Sequence, residues 1–153
     1  MADAATDTTT EARKAWLGLL ARAPEGRVSA LLAGAGEPTR FEWLRRPETG
    51  CVMVRGRAGG TGAAFNLGEM TVTRCSLRLG DGTVGHGYVQ GRSKAGAEAA
   101  ALVDALMQTD ASERLERAVL APLEAEEAAR RDARARKAAA TKVEFFTMAR
   151  GED

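Results

Sequence analysis

The sequence has few of the residues that metal centres and acid–base catalysts need. Its 153 residues include one histidine, His86, and two cysteines, Cys51 and Cys75, with no CxxC pair. These residues are too few for a four-ligand zinc or iron–sulfur site built from this chain alone. We therefore expect no cofactor to be bound by the chain on its own. In the cytoplasm both thiols would be reduced.

A strong net charge and long apolar runs are also absent. The formal net charge is +1, with 44% hydrophobic and 28% charged residues. Nucleic-acid binders usually carry a markedly basic face, and a membrane helix needs a run of ~18 apolar residues, so we expect neither partner. No secretory signal pattern begins the chain. The prediction is a cytoplasmic protein with a disordered segment over residues 1–7 and a single domain over residues 8–153.

Helices are predicted near the beginning of the chain. Thr8 and Glu11 have capping-box spacing ahead of an apolar stripe that ends near Arg22. A second apolar stripe predicts a helix that starts at Pro24 and ends by Gly36.

Helical patterns return at Ser93, where an alanine- and leucine-rich face begins. Asp110 and Glu113 again have capping-box spacing and predict a short helix. Pro122 suits the first turn of a longer helix. We interpret the charged run over residues 124–137 as a solvated face of that helix.

The middle of the chain predicts a sheet. Short connections, including a turn over Pro47–Gly50, favour antiparallel neighbours, because a parallel crossover needs roughly a dozen residues or more. The predicted fold class is α+β, with a central antiparallel sheet of about four to five strands flanked by N- and C-terminal helices. The predicted strands cover residues 39–46, 51–57, 70–79 and 83–90, with a last one in the tail at 142–148.

A glycine-dense loop, residues 56–62, is the first candidate for function. Glycine permits positive φ and lets backbone N–H groups converge on an anion. The loop lacks the Lys-Ser/Thr ending of a Walker A motif and fails the dinucleotide-binding pattern at its last glycine. A sharp strand connection, a phosphate cradle and a partner contact all remain open, and a free-standing nucleotide-binding protein would rest on this loop alone.

Arginine is the second candidate. Over residues 37–92 the chain uses arginine and no lysine. Strand alternation places Arg55 with Arg57, and Arg74 with Arg78, on common faces. Guanidinium groups bind phosphate and carboxylate bidentately. The arginines would therefore suit a ligand with phosphate-like groups, salt bridges to an acidic partner, or a merely solvated face.

Three further features have both a functional and a structural interpretation. His86 could act as a general acid or base, but a lone strand histidine is more often structural. Cys75 alternates with apolar residues, which favours a buried role. Phe145 and Phe146, half of the phenylalanines, predict a core or interface anchor in the tail.

Several sequence blocks occur in a characteristic order. They are GRAGGTGAAFNLGEMTVTRC at residues 56–75, VQGR at 89–92, DALMQ at 104–108, LAPL at 120–123 and VEFFTMARG at 143–151. In this order they closely resemble the G subunit of the bacterial carbon–phosphorus lyase system, the PhnG family, over nearly the whole chain. Family members commonly carry an acidic residue after VQGR, where this chain has Ser93.

The resemblance implies a place in phosphonate catabolism. It implies a hetero-oligomeric core complex with the I, H and J subunits (PhnI, PhnH and PhnJ), joined by PhnL- or PhnK-type ATP-binding proteins. With the I, H and L subunits the chain would help to displace adenine from ATP by an alkylphosphonate, which yields ribose 1-alkylphosphonate 5-triphosphate. ATP and alkylphosphonate are then substrates of the complex. The chain itself would be an accessory subunit, inactive alone and with no catalytic residue.

The resemblance and the charge pattern together define the candidate contact residues. An alternative is a purely structural assembly subunit that does not touch substrate. The contact candidates are Gly59, Gly60, Thr61, Gly62, Arg74, Arg78, His86 and Arg92, with Phe145 and Phe146 at a partner interface.

Overall fold

The computed structural model describes residues 2–36 and 40–141. The helices are α1 (Ala2–Arg22), α2 (Arg27–Gly34), α3 (Lys94–Leu106), α4 (Ser112–Leu115) and α5 (Ala121–Ala140), with a π-helical turn at Glu116–Leu120 before α5. The strands are β1 (Phe41–Arg57), β2 (Ala64–Leu79) and β3 (Val84–Gln90), and a short 3₁₀ turn, Ala58–Gly60, follows β1. The strands form one antiparallel sheet in the order β1-β2-β3. The α+β class is confirmed.

The strand count differs from the prediction. Within the described ranges the sheet has three strands rather than four to five, because the first two predicted strands are one continuous strand, β1. Pro47 and Gly50 lie inside it and form no turn. An edge strand tolerates proline because the missing N–H can face outward, and register shifts on either side of Arg45 accommodate the irregularity. The predicted tail strand lies outside the described residues.

The second strand is also longer than predicted. β2 begins at Ala64 rather than near residue 70, because residues 64–70 pair with 52–57. β1 and β2 therefore form a long hairpin, with the glycine loop at its tip. β3 matches its predicted range closely.

Two predicted capping boxes are wrong. α1 begins at Ala2, so Thr8 lies within the helix, and the alanines ahead of it have the highest helix propensity. α4 is preceded by Ala111, with no side-chain cap. Disorder of residues 1–7 in solution stays a prediction. The start at Ser93 is confirmed, since its Oγ accepts a 3.1 Å hydrogen bond from the Gly96 N–H.

The charged run of α5 is only partly a solvated face. Residues 131–140 are exposed, as predicted. Glu126 instead pairs with Arg27 of α2 at 2.7 Å, and Glu127 pairs with Arg22 of α1 at 3.1 Å. The run therefore also joins α5 to the two N-terminal helices.

The core contains one face of the sheet, α3 and apolar residues of the other helices, among them Leu20, Val28 and Leu123. Cys75, Leu77 and Leu79 of β2 are buried on this face, as the alternating pattern predicted. The rings of Phe41 and Trp43 lie on it too, edge to face with centroids 4.8 Å apart.

α3 approaches β3 backbone to backbone. A Cβ atom built on Gly85 would lie 2.0 Å from the carbonyl oxygen of Ala101, and one on Gly87 would lie 1.9 Å from that of Ala97. The facing helix positions are alanines, including Ala105, which are fully buried. Glycine is therefore required at both strand positions because any side chain would separate the two elements.

This packing gives the first prediction. Gly87→Ala should destabilise the fold by about 1–3 kcal/mol or more, because the added methyl group overlaps the Ala97 carbonyl oxygen and forces a shift of the helix backbone. Gly50→Ala is the matched control, since nothing lies within 4 Å of a Cβ at that strand position. Urea unfolding of both variants measures the difference, and equal midpoints would contradict the proposed close packing.

Candidate functional site

The sheet face turned away from α3 carries most of the polar residues singled out above. Side chains alternate between the faces of a strand, so the register that buries Gly85 and Gly87 against α3 places His86 on the opposite face. We call this surface the outer face. Its polar residues include Glu42, Arg45, Glu48, Arg74, Ser76, Arg78, His86 and Tyr88.

The two predicted arginines of β2 lie together on the outer face, and each is paired with a glutamate of β1. Arg74 Nε is 2.7 Å from Glu48 Oε1, and Arg78 Nη2 is 2.9 Å from Glu42 Oε2. The hydrogen bond from Arg74 lowers the pKa of the Glu48 carboxyl. A guanidinium has five N–H donors and both side chains are about half exposed, so each arginine keeps donors for a further anion.

His86 lies on the same face with an exposed ring. Its Nδ1 is 2.9 Å from Ser76 Oγ on the neighbouring strand. In the part of the chain that the structure describes, the ring makes no hydrogen bond to a carboxylate. The arrangement suits a hydrogen-bonding contact better than general-base catalysis, which usually needs a group that orients the base.

A buried carboxylate fixes the strand that carries His86. Asp104 of α3 is fully buried and accepts hydrogen bonds from Arg13 Nε at 3.1 Å, Arg13 Nη2 at 2.7 Å and Trp16 Nε1 at 2.9 Å. It also accepts one from the backbone N–H of His86 at 2.9 Å. This single carboxylate joins α1, α3 and β3.

α1 and the segment that follows α3 occupy the free edge of β3. The carbonyl oxygen of Val84 accepts hydrogen bonds from Arg13 Nη2 at 3.2 Å and from Gln108 Nε2 at 2.9 Å. Sequence reasoning assigned no role to Asp104, although a lone acid on an apolar helix face was an available signal. The DALMQ block thus begins and ends with two of these anchors, Asp104 and Gln108.

The glycine loop lies far from the outer-face arginines. Gly59 and Gly60 adopt φ values of 61° and 78°, which only glycine adopts easily. Arg57 Nη1 donates to the Gly62 carbonyl oxygen at 3.2 Å and closes the loop. Thr61 is exposed beside them. The ten residue steps from 64 to 74 span roughly 30 Å of extended strand, so the loop and Arg74 do not form one site.

The remaining predicted contacts lie elsewhere. Arg92 is exposed at the corner between β3 and α3, where it lines a cavity of about 60 Å³ with Pro24 and Gly26. Phe145 and Phe146 lie outside the described residues. The structure therefore brings Arg74, Arg78 and His86 together, and it separates them from Arg92 and the loop.

The described residues contain neither a metal-binding cluster nor a helix able to cross a membrane. Residues 2–36 and 40–141 hold no group of three or more His, Cys, Asp or Glu side chains arranged to bind a metal ion. No helix in these ranges combines the length and apolar character that crossing a membrane requires.

The cysteines occupy different environments. Cys51 is exposed on β1 and pairs in register with Thr71, whereas Cys75 is buried. Both are free thiols. Cys75 belongs to the apolar core, which confirms its predicted buried role, and this burial raises the pKa of its thiol to about 11.

Comparison with known proteins finds similarity along nearly the whole chain. Residues 11–151 match the family model described as phosphonate metabolism protein PhnG. The chain is 46% identical over 151 residues to the alpha-D-ribose 1-methylphosphonate 5-triphosphate synthase subunit PhnG of Rhizobium meliloti (strain 1021), with 96% of this chain and 94% of that protein covered.

Removing the charge of Asp104 tests its structural role. Asp104→Asn should lower the free energy of unfolding by about 3 kcal/mol, because it leaves the partly buried guanidinium of Arg13 without its counter-charge. Asp110→Asn, at an exposed position just after α3, is the control. Denaturant unfolding followed by tryptophan fluorescence reports the change, and a variant as stable as the control would refute the role.

Thiol titration tests the two cysteine environments. Near neutral pH the folded chain should react rapidly with a disulfide reagent at one thiol, Cys51, because Cys75 is buried and protonated. The second thiol should react only after unfolding. Cys51→Ser should abolish the rapid phase, and a rapid phase that persists in this variant would contradict the assignment.

Proposed function

Because the chain belongs to the PhnG family of phosphonate metabolism proteins, we propose that it is a subunit of a cytoplasmic alpha-D-ribose 1-methylphosphonate 5-triphosphate synthase. The likeness to a named subunit of that synthase, over almost the full length of both chains, carries the proposal. In this role the chain acts with the I, H and L subunits. The complex displaces adenine from ATP by an alkylphosphonate and forms ribose 1-alkylphosphonate 5-triphosphate.

The chain contributes surface rather than a catalytic group. Its outer face offers half-exposed guanidinium groups at Arg74 and Arg78, which suit a triphosphate, a phosphonate or an acidic partner. The lone histidine has a serine and no carboxylate beside its ring in the described residues. An accessory subunit, inactive when isolated, fits these features better than an independent enzyme.

A purely structural subunit is the second candidate. The ion pairs to Glu42 and Glu48 favour it, because both arginines already have carboxylate partners within the chain. In this case the outer face would hold the sheet together or meet another subunit without touching substrate.

Reconstitution tests the proposed function itself. Adenine release from ATP in the presence of methylphosphonate is measured with the H, I and L subunits, with and without this chain. The proposal predicts that phosphonate-dependent release requires the chain. Equal release in its absence would refute membership of the synthase.

Paired substitutions separate the two candidates. If Arg74 contacts substrate phosphates, Arg74→Ala should reduce turnover about tenfold or more in an intact complex, and Glu48→Gln should not. If the ion pair has only a structural role, Arg74→Ala and Glu48→Gln should change turnover to a similar extent. Arg131→Ala, which removes an ion-paired arginine from α5, is the control. Unchanged turnover in both Arg74→Ala and Arg78→Ala would eliminate substrate contact by these residues.

A further inference from the structure

The distal half of the β1–β2 hairpin extends beyond the rest of the fold. β3 ends opposite Val72, and from there outward β1 and β2 pair only with each other. We call residues 51–70 the arm. None of its residues is buried. The remaining part of β2, residues 71–79, is the proximal half, and it packs against α3.

The arm exposes apolar side chains. Met53 is 52% exposed, Phe65 46% and Leu67 66%, and these are three of the five large exposed hydrophobic residues in the described chain. A two-stranded ribbon is at best marginally stable in water. An exposed apolar patch of this kind marks a protein contact, so the arm has the properties of an element that is completed by another protein.

The backbone of the arm is available at both edges. No third strand is paired with β1 on its outer side, nor with residues 64–70 of β2, within the part of the chain that the structure describes. Such edges accept an added strand unless charge or irregularity blocks it. The arm has one bulge, at Val54/Arg55, and is otherwise regular.

The charges of the arm indicate what kind of surface receives it. Its charged residues are Arg55, Arg57 and Glu69, a net charge of +1 from two positive and one negative group. Both arginines are exposed. A second copy of the chain would bring its own arginines to the same place, where like charges repel. An acidic surface on a different protein complements them.

We propose that the arm docks into an apolar cleft with acidic residues at its rim on another subunit of the synthase. This inference rests on the proposed function for its partner and goes beyond it by assigning the docking element. The apolar side chains supply contact area, the free edges accept backbone hydrogen bonds, and Arg55 and Arg57 pair with the acidic rim.

Apolar-to-polar variants test the contact. Met53→Ser combined with Leu67→Ser should weaken association with the coexpressed H and I subunits about tenfold or more, as expected when a buried apolar anchor is lost. Leu44→Ser is the matched control, because Leu44 is a similarly exposed hydrophobic residue on β1 outside the arm. Circular dichroism verifies that both variants fold. Association equal to that of the native chain would overturn the proposal.

Charge reversal tests the chemistry of the cleft. Arg55→Glu should weaken association and flatten its dependence on salt, whereas Arg46→Glu, an exposed position on the same strand outside the arm, should change neither. Stronger association of Arg55→Glu would indicate a basic cleft and contradict the proposal.

The outcomes separate this inference from the proposed function. If the native chain does not associate with the other subunits, the proposed function fails. If it associates and the arm variants do so equally well, only the docking role fails. If the free chain dimerises and the arm variants abolish only that dimer, a second copy occupies the arm, and the assignment to another subunit is wrong.

Discussion

The close packing of α3 on β3 is the constraint on which the rest of the structure depends. Gly85 and Gly87 allow the carbonyl groups of Ala97 and Ala101 to approach the strand backbone. At this separation Asp104 of the same helix reaches the backbone N–H group of β3 and the side chains of α1. The contact thus orients the sheet, fixes which face is buried and occupies the outward edge of β3.

The packing of α3 on one face of the sheet gives the molecule two sides with different properties. On the helix side, α3 covers the proximal half of β2, and Asp104 has all of its hydrogen-bonding partners within the chain. On the other side lie the outer face, where Arg74 and Arg78 are paired but half exposed, and the arm, which no helix covers. A subunit that acts through contacts with other proteins requires such an uncovered side, and the family to which the chain belongs includes a named synthase subunit.

The sequence predicted the features that depend on local pattern, namely the buried face of β2, the helix start at Ser93 and the shared face of Arg74 and Arg78. It did not predict features that depend on distant residues. The segment Pro47–Gly50 has turn-forming residues, yet pairing with β2 keeps it extended. The partners of Asp104 lie as far as 91 residues away, which no local pattern encodes. The pairing of the outer-face arginines with glutamates likewise follows from strand register and not from composition.

Amide hydrogen exchange of the chain, free and within the assembled complex, tests most directly whether the uncovered side is the functional side. We expect residues 51–57 and 64–70 to exchange rapidly in the free chain and to become protected on assembly, while α3 and β3 are protected in both states. Protection that appears instead on the surfaces of α1 and α2, with the arm unchanged, would contradict the account and place the partner on the helix side.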